Sequence, residues 1–290
     1  MSAYEYCEAI ARAHYENFPV ASHLLPSFMR PHVAAVYAFA RIADDFADEG
    51  SEAPQARLDA LDRWDRRLQA AAAGADDPGG PHTQVFEALG ATIRECRLPP
   101  VLLSDLLSAF KQDVTVTRYA TWTDLLDYCR RSANPVGRLV LRIAGYDDER
   151  IDRASDAVCT ALQLTNFWQD LERDHAKGRI YVPLEIRKEA GAREEDLADR
   201  RVTREWRSAL EDAGRRTRAL FEAGRTVCDA VRGRLRWELR ATWLGGVRIL
   251  DKLEAVHFDV FSRRPALSPA TDGPVLIWQV LTWRRRPPRT

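Results

Sequence analysis

Residues 33–48 read VAAVYAFARIADDFAD, and residues 157–174 read AVCTALQLTNFWQDLERD. Positions 33–40 and 157–169 carry no formal charge, so each stretch suits a helix with little solvent around it. Each closes on aspartates spaced by four: Asp44 and Asp48 in the first, Asp170 and Asp174 in the second. Residues four apart share one helical face, with Cβ atoms about 5–6 Å apart. Two carboxylates aimed one way repel unless a cation joins them. With 43 acids in 290 residues, chance supplies roughly six such pairs, most on solvated faces. Asp148/Asp152 reads as one of those. The uncharged approaches set the other two apart, because an aspartate that follows a buried stretch needs a partner. A shared magnesium site built from oxygen ligands is the stronger reading, and structural ion pairs are the other.

Asn166 extends the second pair, since Asn166, Asp170 and Asp174 fall at i, i+4 and i+8, with Gln163 close to that stripe. Arg41 precedes Asp44 by three and shares its face. It reads either as a salt-bridge partner or as a clamp for a diphosphate.

Outward from these two segments, helical period continues along nearly the whole chain and no series of strands appears. The expected helices are 3–16, 32–48, 55–73, 83–96, 101–117, 123–145, 148–175, 203–231 and 235–259. Pro and Gly punctuate the gaps, at Pro19, Pro26 and Pro31, at 74–81, at Pro99-Pro100, and at Lys177-Gly178. Residues 184–202 are highly charged and read as a mobile flap with short helical turns. No break resembles a domain linker, so the expectation is a single all-α domain. Asn134-Pro135 falls inside the expected 123–145 helix. There the proline would leave the Arg131 carbonyl unbonded and kink the chain.

The composition excludes several functions. Basic and acidic residues balance at 43 each, which gives no global field for nucleic acid. Five scattered cysteines with no CxxC pair read as reduced thiols of a cytoplasmic protein. No phosphate-cradling Gly-rich loop and no nucleophile elbow is present. Residues 1–18 lack the apolar run of a secretion signal. The stretch PVLIWQVL (274–281) is far shorter than the ~20 residues that cross a bilayer. Trp283 and the basic run from Arg284 follow it. A frayed tail is the ordinary reading, and an anchor on an anionic lipid surface is the alternative.

Three segments, YAFARIADDFADEG (37–50), DYCRRSANPVGRLVLRIAG (127–145) and LQLTNFWQDLERDHAKGRIYVP (162–183), resemble the squalene/phytoene synthase family, over roughly residues 5–262. HYENFPVASHLLP (14–26) and SANPVGRLVL (132–141) resemble its hydroxysqualene synthase branch of bacterial hopanoid pathways. The resemblance implies a helical isoprenoid-synthase bundle with a central apolar cavity, spanning 1–262 as the catalytic domain, with 263–290 as a C-terminal tail. It implies magnesium ligands at Asp44, Asp48, Asn166, Asp170 and Asp174. Substrate contacts follow at His14, Tyr37, Arg41, Gln163, Asn166 and Arg179, and catalytic roles at Tyr128, Arg41 and Asn134. Tyr181 shares the Arg179 loop. The implied substrate is presqualene diphosphate, received from a presqualene diphosphate synthase, and NADPH is not expected. Phe167 and Trp168 read as core. Asn134, or the carbonyl freed by Pro135, reads equally as the holder of a water and as part of a plain kink.

Two positions depart from prenyl-coupling relatives of the family, which often carry a lysine at the position of Glu16 and an arginine at that of Gln169. A coupling enzyme binds two diphosphates, so the loss of two cations points to one. The alternatives are presqualene diphosphate synthase, a squalene synthase that couples two farnesyl diphosphates, and a non-catalytic scaffold of the same fold.

Overall fold

The computed structural model describes residues 1–13, 24–48 and 52–284. The helices in chain order are α1 (Ala3–Ala13), α2 (Arg30–Asp48), α3 (Pro54–Ala73), α4 (Thr83–Cys96) and α5 (Pro100–Asp113). Then come α6 (Trp122–Ser132), α7 (Asn134–Ile143), α8 (Glu149–Gln169), α9 (Leu171–Ala176) and α10 (Leu184–Ala190). The last are α11 (Glu195–Ala198), α12 (Arg204–Gly224), α13 (Val227–Ala230), α14 (Gly233–Ala255) and α15 (Asp272–Leu281). The all-α expectation holds among the described residues, where the only extended pairing is an isolated bridge between Arg118 and Ile180.

Local chemistry fixes several helix ends. Pro54 and Pro100 open α3 and α5, where a missing N–H costs nothing. Thr121 and Asp124 form a reciprocal capping box at α6. Three expected helices are broken, one of them the segment 203–231, which divides into α12 and α13 at residues 225–226. Pro135 has no N–H to offer the preceding turn, so α6 stops at Ser132, and the proline sits in the first turn of α7 instead of inside a helix. The segment 148–175 interrupts at Asp170, whose φ of −103° and ψ of 13° leave helical geometry. A further difference is α15, which forms where a frayed tail was the ordinary reading.

The chain divides into two compact units. The first comprises Met1–Val116 and Pro135–Asp152. In it α2 is central, touching α1, α3, α4 and α5, which accounts for its uncharged run. Phe39 stacks on Trp64 at 5.9 Å between ring centroids and meets Phe86 edge-on. Asp152, expected on a solvated face, is buried, and Arg142 grips it through two bonds of 3.0 and 2.5 Å.

The second unit comprises Thr117–Asn134 and Arg153–Thr290. Here α8 runs against α12 and α14 through glycines. A Cβ on Gly224 would lie 2.5 Å from the Ala154 carbonyl oxygen, and one on Gly246 would lie 2.5 Å from Leu162 Cδ2. Residues 184–202, expected as a flap, are tied down. Arg118 holds Glu194 with two bonds of 3.0 Å and the buried Arg187 adds a third at 2.7 Å. These cations, Arg118 foremost, pull the Glu194 carboxyl down to a pKa of about 2.

Candidate functional site

The first aspartate segment is one uninterrupted helix. Tyr37, Arg41, Asp44 and Asp48 recur at intervals of four, three and four along α2, and all four are half-buried. The positions between them that face away (Val36, Ala38, Phe39, Ile42, Ala43, Ala47) are buried. The unit's core therefore sets the direction of the stripe. Trp64 donates its indole N–H to the Phe39 carbonyl at 3.2 Å, and Arg57 donates to the Ala47 carbonyl at 3.2 Å. Both bonds fix the end of α2 that carries the aspartates.

Arg41 neutralises this end, with Nη2 2.5 Å from Asp45 Oδ1 and Nη1 3.6 Å from Asp44 Oδ2. Burial raises the Tyr37 phenol above its ordinary pKa; Arg41 opposes the shift, and Asp44 and Asp45 add to it. The phenol thus stays protonated as a hydrogen-bond donor.

The second segment keeps its register through the break. The Asp170 N–H donates to the Asn166 carbonyl at 2.8 Å, and the Asp174 N–H donates to the Asp170 carbonyl at 2.8 Å. Asn166, Asp170 and Asp174 therefore remain one stripe, with Asn166 exposed and the aspartates half-buried. Gln163 is half-buried three residues before Asn166. Phe167 and Trp168 are buried behind the stripe, as expected for core residues. Trp168 donates to Thr217 Oγ1 at 2.9 Å and stacks on Trp122. After α9, Gly178 takes a positive φ of 77° and lets the Arg179 N–H turn back onto the Asp174 carbonyl at 2.7 Å.

The tertiary fold adds a residue that the sequence did not reveal. Arg264 forks onto Asp170, with Nε 2.6 Å from Oδ1 and Nη2 3.0 Å from Oδ2. Its neighbour Pro265 accepts a bond through its carbonyl from the buried Gln169 amide. Two consecutive residues at the end of α8 thus grip two consecutive residues 94–96 positions later. No periodicity links positions that far apart. The only signal in the sequence was Gln169 itself, a buried polar group in need of a partner.

Tyr128 is buried among Tyr119, Phe167 and Tyr181, with ring centroids 5.5, 6.2 and 6.2 Å away. Tyr181 stacks flat on Phe167 at 3.7 Å. Asn134 is buried, and its side-chain oxygen accepts from the Thr160 hydroxyl at 2.8 Å. Arg179 is half-buried in the turn after α9. Asn166 also lines a cleft of about 350 Å³ with Leu162 and Thr165 of α8, Thr242 and Gly245 of α14, and Leu267. His14 and Glu16 lie outside the described residues.

The donors of both stripes are carboxylate and amide oxygens, the chemistry that a hard divalent cation takes. Asp44 and Asp170 each already pair with a guanidinium, that of Arg41 and of Arg264. Among the described residues, no three His, Cys, Asp or Glu side chains converge as a ready-made cation cluster. No described helix is long and apolar enough to cross a membrane.

A family model described as squalene/phytoene synthase matches residues 11–271. The chain is 38% identical to a hydroxysqualene synthase of Zymomonas mobilis, over 71% of this chain and 68% of that one. It is 34% identical to a hydroxysqualene synthase of Rhodopseudomonas palustris, over 88% and 84%. Among solved structures it resembles squalene synthase HpnC from Alicyclobacillus acidocaldarius, at 42% identity and a TM-score of 0.81, covering 88% of this chain and 94% of that one. A dehydrosqualene synthase shares the fold, with a TM-score of 0.83 at 23% identity over 97% and 96%. The family model over residues 11–271, with relatives at 34–38% identity along most of the chain on an all-helical frame, places this protein in the squalene/phytoene synthase family of prenyl-diphosphate-processing enzymes.

Proposed function

We propose that the chain is a hydroxysqualene synthase, converting presqualene diphosphate and water to hydroxysqualene and diphosphate. The observation that carries this reading is Gln169. Beside the second aspartate pair stands a buried neutral amide spent on the Pro265 carbonyl, at the position where prenyl-coupling relatives often carry an arginine. Relatives named hydroxysqualene synthase at 34–38% identity support it.

In this reading Asp44, Asp48, Asn166, Asp170 and Asp174 hold magnesium. When bound, the metal supplies charge neutralisation for a diphosphate leaving group. Arg41 and Arg264, now on aspartates, are released to pair with diphosphate oxygens, the bidentate partner that guanidinium favours. Tyr37 donates its proton in a hydrogen bond to the same group, with Gln163, Arg179 and His14 as further contacts. The carbon–oxygen bond breaks with its electron pair departing on diphosphate. The resulting cyclopropylcarbinyl cation rearranges: the ring bonds that already link the two prenyl halves break as a new bond forms between the carbons that once bore each half's diphosphate, leaving an allylic cation. One water then adds its oxygen and loses a proton, so no reductant enters and NADPH has no role. Tyr128, within its aromatic group, lends ring faces to the cation, and Asn134, braced by Thr160, orients the water. The enzyme acts in the cytoplasm, receives its water-insoluble substrate from a presqualene diphosphate synthase, and touches the inner face of a bacterial membrane.

The test is incubation with presqualene diphosphate and magnesium without reductant, with products separated by mass. Hydroxysqualene and equimolar diphosphate are expected. Efficient conversion of farnesyl diphosphate to presqualene diphosphate, or product only when NADPH is added, overturns the reading. The second outcome belongs to the one competing reading with an observation behind it, squalene synthase, the name carried by the structure at 42% identity. A scaffold would release no diphosphate at all.

A further inference from the structure

We propose that the outward face of α15 docks on an anionic phospholipid bilayer, which gives the membrane contact named above a specific surface. The helix reads DGPVLIWQVL, with one polar residue after its first turn, Gln279. A helix apolar all round is normally buried. Here only one side is covered. Leu276, Val280 and Trp283 are half-buried, whereas Ile277, Trp278 and Leu281 are 64, 67 and 65% exposed. These three lie on one face at i, i+1 and i+4, with Val275 beside them.

The helix is held firmly. Asp272 at its start is buried and accepts from Lys252 at 2.5 Å, Ser268 N–H at 2.6 Å and Arg248 at 3.0 Å. These partners, Lys252 foremost, keep its carboxyl well below the usual carboxylate range. Beyond the other end, Trp283 donates to Asp229 at 3.1 Å, meets Trp243 edge-on and lies under Arg225 at 4.0 Å. Such anchoring lets three large apolar side chains stay outward.

Charge decides the occupant. From Gly273 to Thr290 the sequence contains no acidic residue. At the Trp283 end, Arg240 lies 5.3 Å from the Trp283 ring centroid and 5.5 Å from that of exposed Trp237, Arg225 donates to the carbonyl of exposed Arg284 at 2.8 Å, and exposed Arg234 lies one turn before Trp237 on α14. Tryptophan and arginine flanking an apolar helix face match the chemistry of an anionic membrane interface. A second copy fits less well. A ten-residue helix is about 15 Å long and about 10 Å wide. Its face therefore offers roughly 150 Å², against about 800 Å² per partner in a stable dimer, and two such cationic rims would repel.

The test needs no substrate, so it stands apart from the proposed reaction. The full chain is floated with vesicles of phosphatidylcholine alone or of phosphatidylcholine mixed equally with phosphatidylglycerol, at low and high salt. Binding is expected on the mixed vesicles and weakened by high salt. The variant Ile277→Ser/Trp278→Ser/Leu281→Ser should bind on the order of tenfold or more weakly, with an unchanged Tm because these side chains are exposed. Arg234→Glu/Arg284→Glu should bind about tenfold more weakly with the apolar face intact. No binding of the parent chain to mixed vesicles overturns the proposal. So does full binding by both variants, or a parent dimer that the triple variant converts to monomer.

Discussion

The two aspartate segments carry the same motif and are built in different ways. In α2 the pair stands on an unbroken helix, and its guanidinium, Arg41, comes three residues before Asp44 on the same face. At the junction of α8 and α9 the helix breaks at Asp170, and its guanidinium comes from Arg264, 94 residues away. The first cation is placed by helical period, the second by the path of the whole chain. Equal chemistry can therefore rest on a local device or a tertiary one, and the two should fail differently.

The largest effect should come from removing either carboxylate. Asp44→Ala and Asp170→Ala should each slow magnesium-dependent diphosphate release on the order of 10²–10³-fold. Comparable losses in a phosphate-release assay sharpen the equivalence of the two segments, and near-normal turnover in one breaks it. Their stabilities should diverge in metal-free buffer. Asp170→Ala removes both bonds of Arg264 and should lower Tm by about 2–4 °C. Asp44→Ala leaves Arg41 on Asp45 and should leave Tm nearly unchanged.

The scaffolds behind the two segments offer the next contrast. Gly224→Ala would press a methyl against the Ala154 backbone of α8 and should cost about 1–3 kcal/mol, read from denaturant midpoints. Trp64→Phe keeps a ring behind α2 but strips the N–H from the Phe39 carbonyl, costing about 1 kcal/mol. A larger loss for Trp64→Phe would mean that α2, not α8, is the more tightly fitted element.

Gln169→Leu isolates the tertiary link. It should cost roughly 1 kcal/mol through the lost Pro265 bond. It should also raise KM for the diphosphate substrate, as measured against Arg41→Ala in a double-mutant cycle. A non-zero coupling energy is expected, because Arg41 and Arg264 meet the same diphosphate in the proposed reading and Gln169 holds Pro265, the neighbour of Arg264.

Acid titration gives the smallest effect. The Glu194 carboxyl has a folded pKa of about 2 against an ordinary value of about 4.3. Its contribution is therefore fully present above the ordinary value and is lost as pH falls toward 2. Glu194 is 41% exposed, so screening keeps the gain small. Glu194→Gln should flatten acid unfolding of this segment only below about pH 4.3, and an unchanged acid limb would show that the Arg118–Glu194–Arg187 link is not stabilising.

Much of this molecule was legible as period. The uncharged runs 33–40 and 157–169 announced buried helices, and the spacing of Asp44/Asp48 and of Asn166, Asp170 and Asp174 survived folding because helical register is local. The broken 123–145 helix was half legible, since Pro135 was visible but its place in a new first turn was not. The helix 272–281 was missed because an apolar stretch beside a basic run reads equally as a tail; Asp272, sunk among Lys252, Arg248 and the Ser268 N–H, is what makes it a packed element.

The sequence by itself determined the helical class, the two acidic stripes and the family, because each depends on residues within a few turns of one another. Tertiary structure alone decided that Arg264 sits on Asp170, that Gln169 is spent on Pro265, and that α15 turns Ile277, Trp278 and Leu281 outward. Those contacts join positions tens of residues apart, and only the packing of helices, not their periods, brings such positions together.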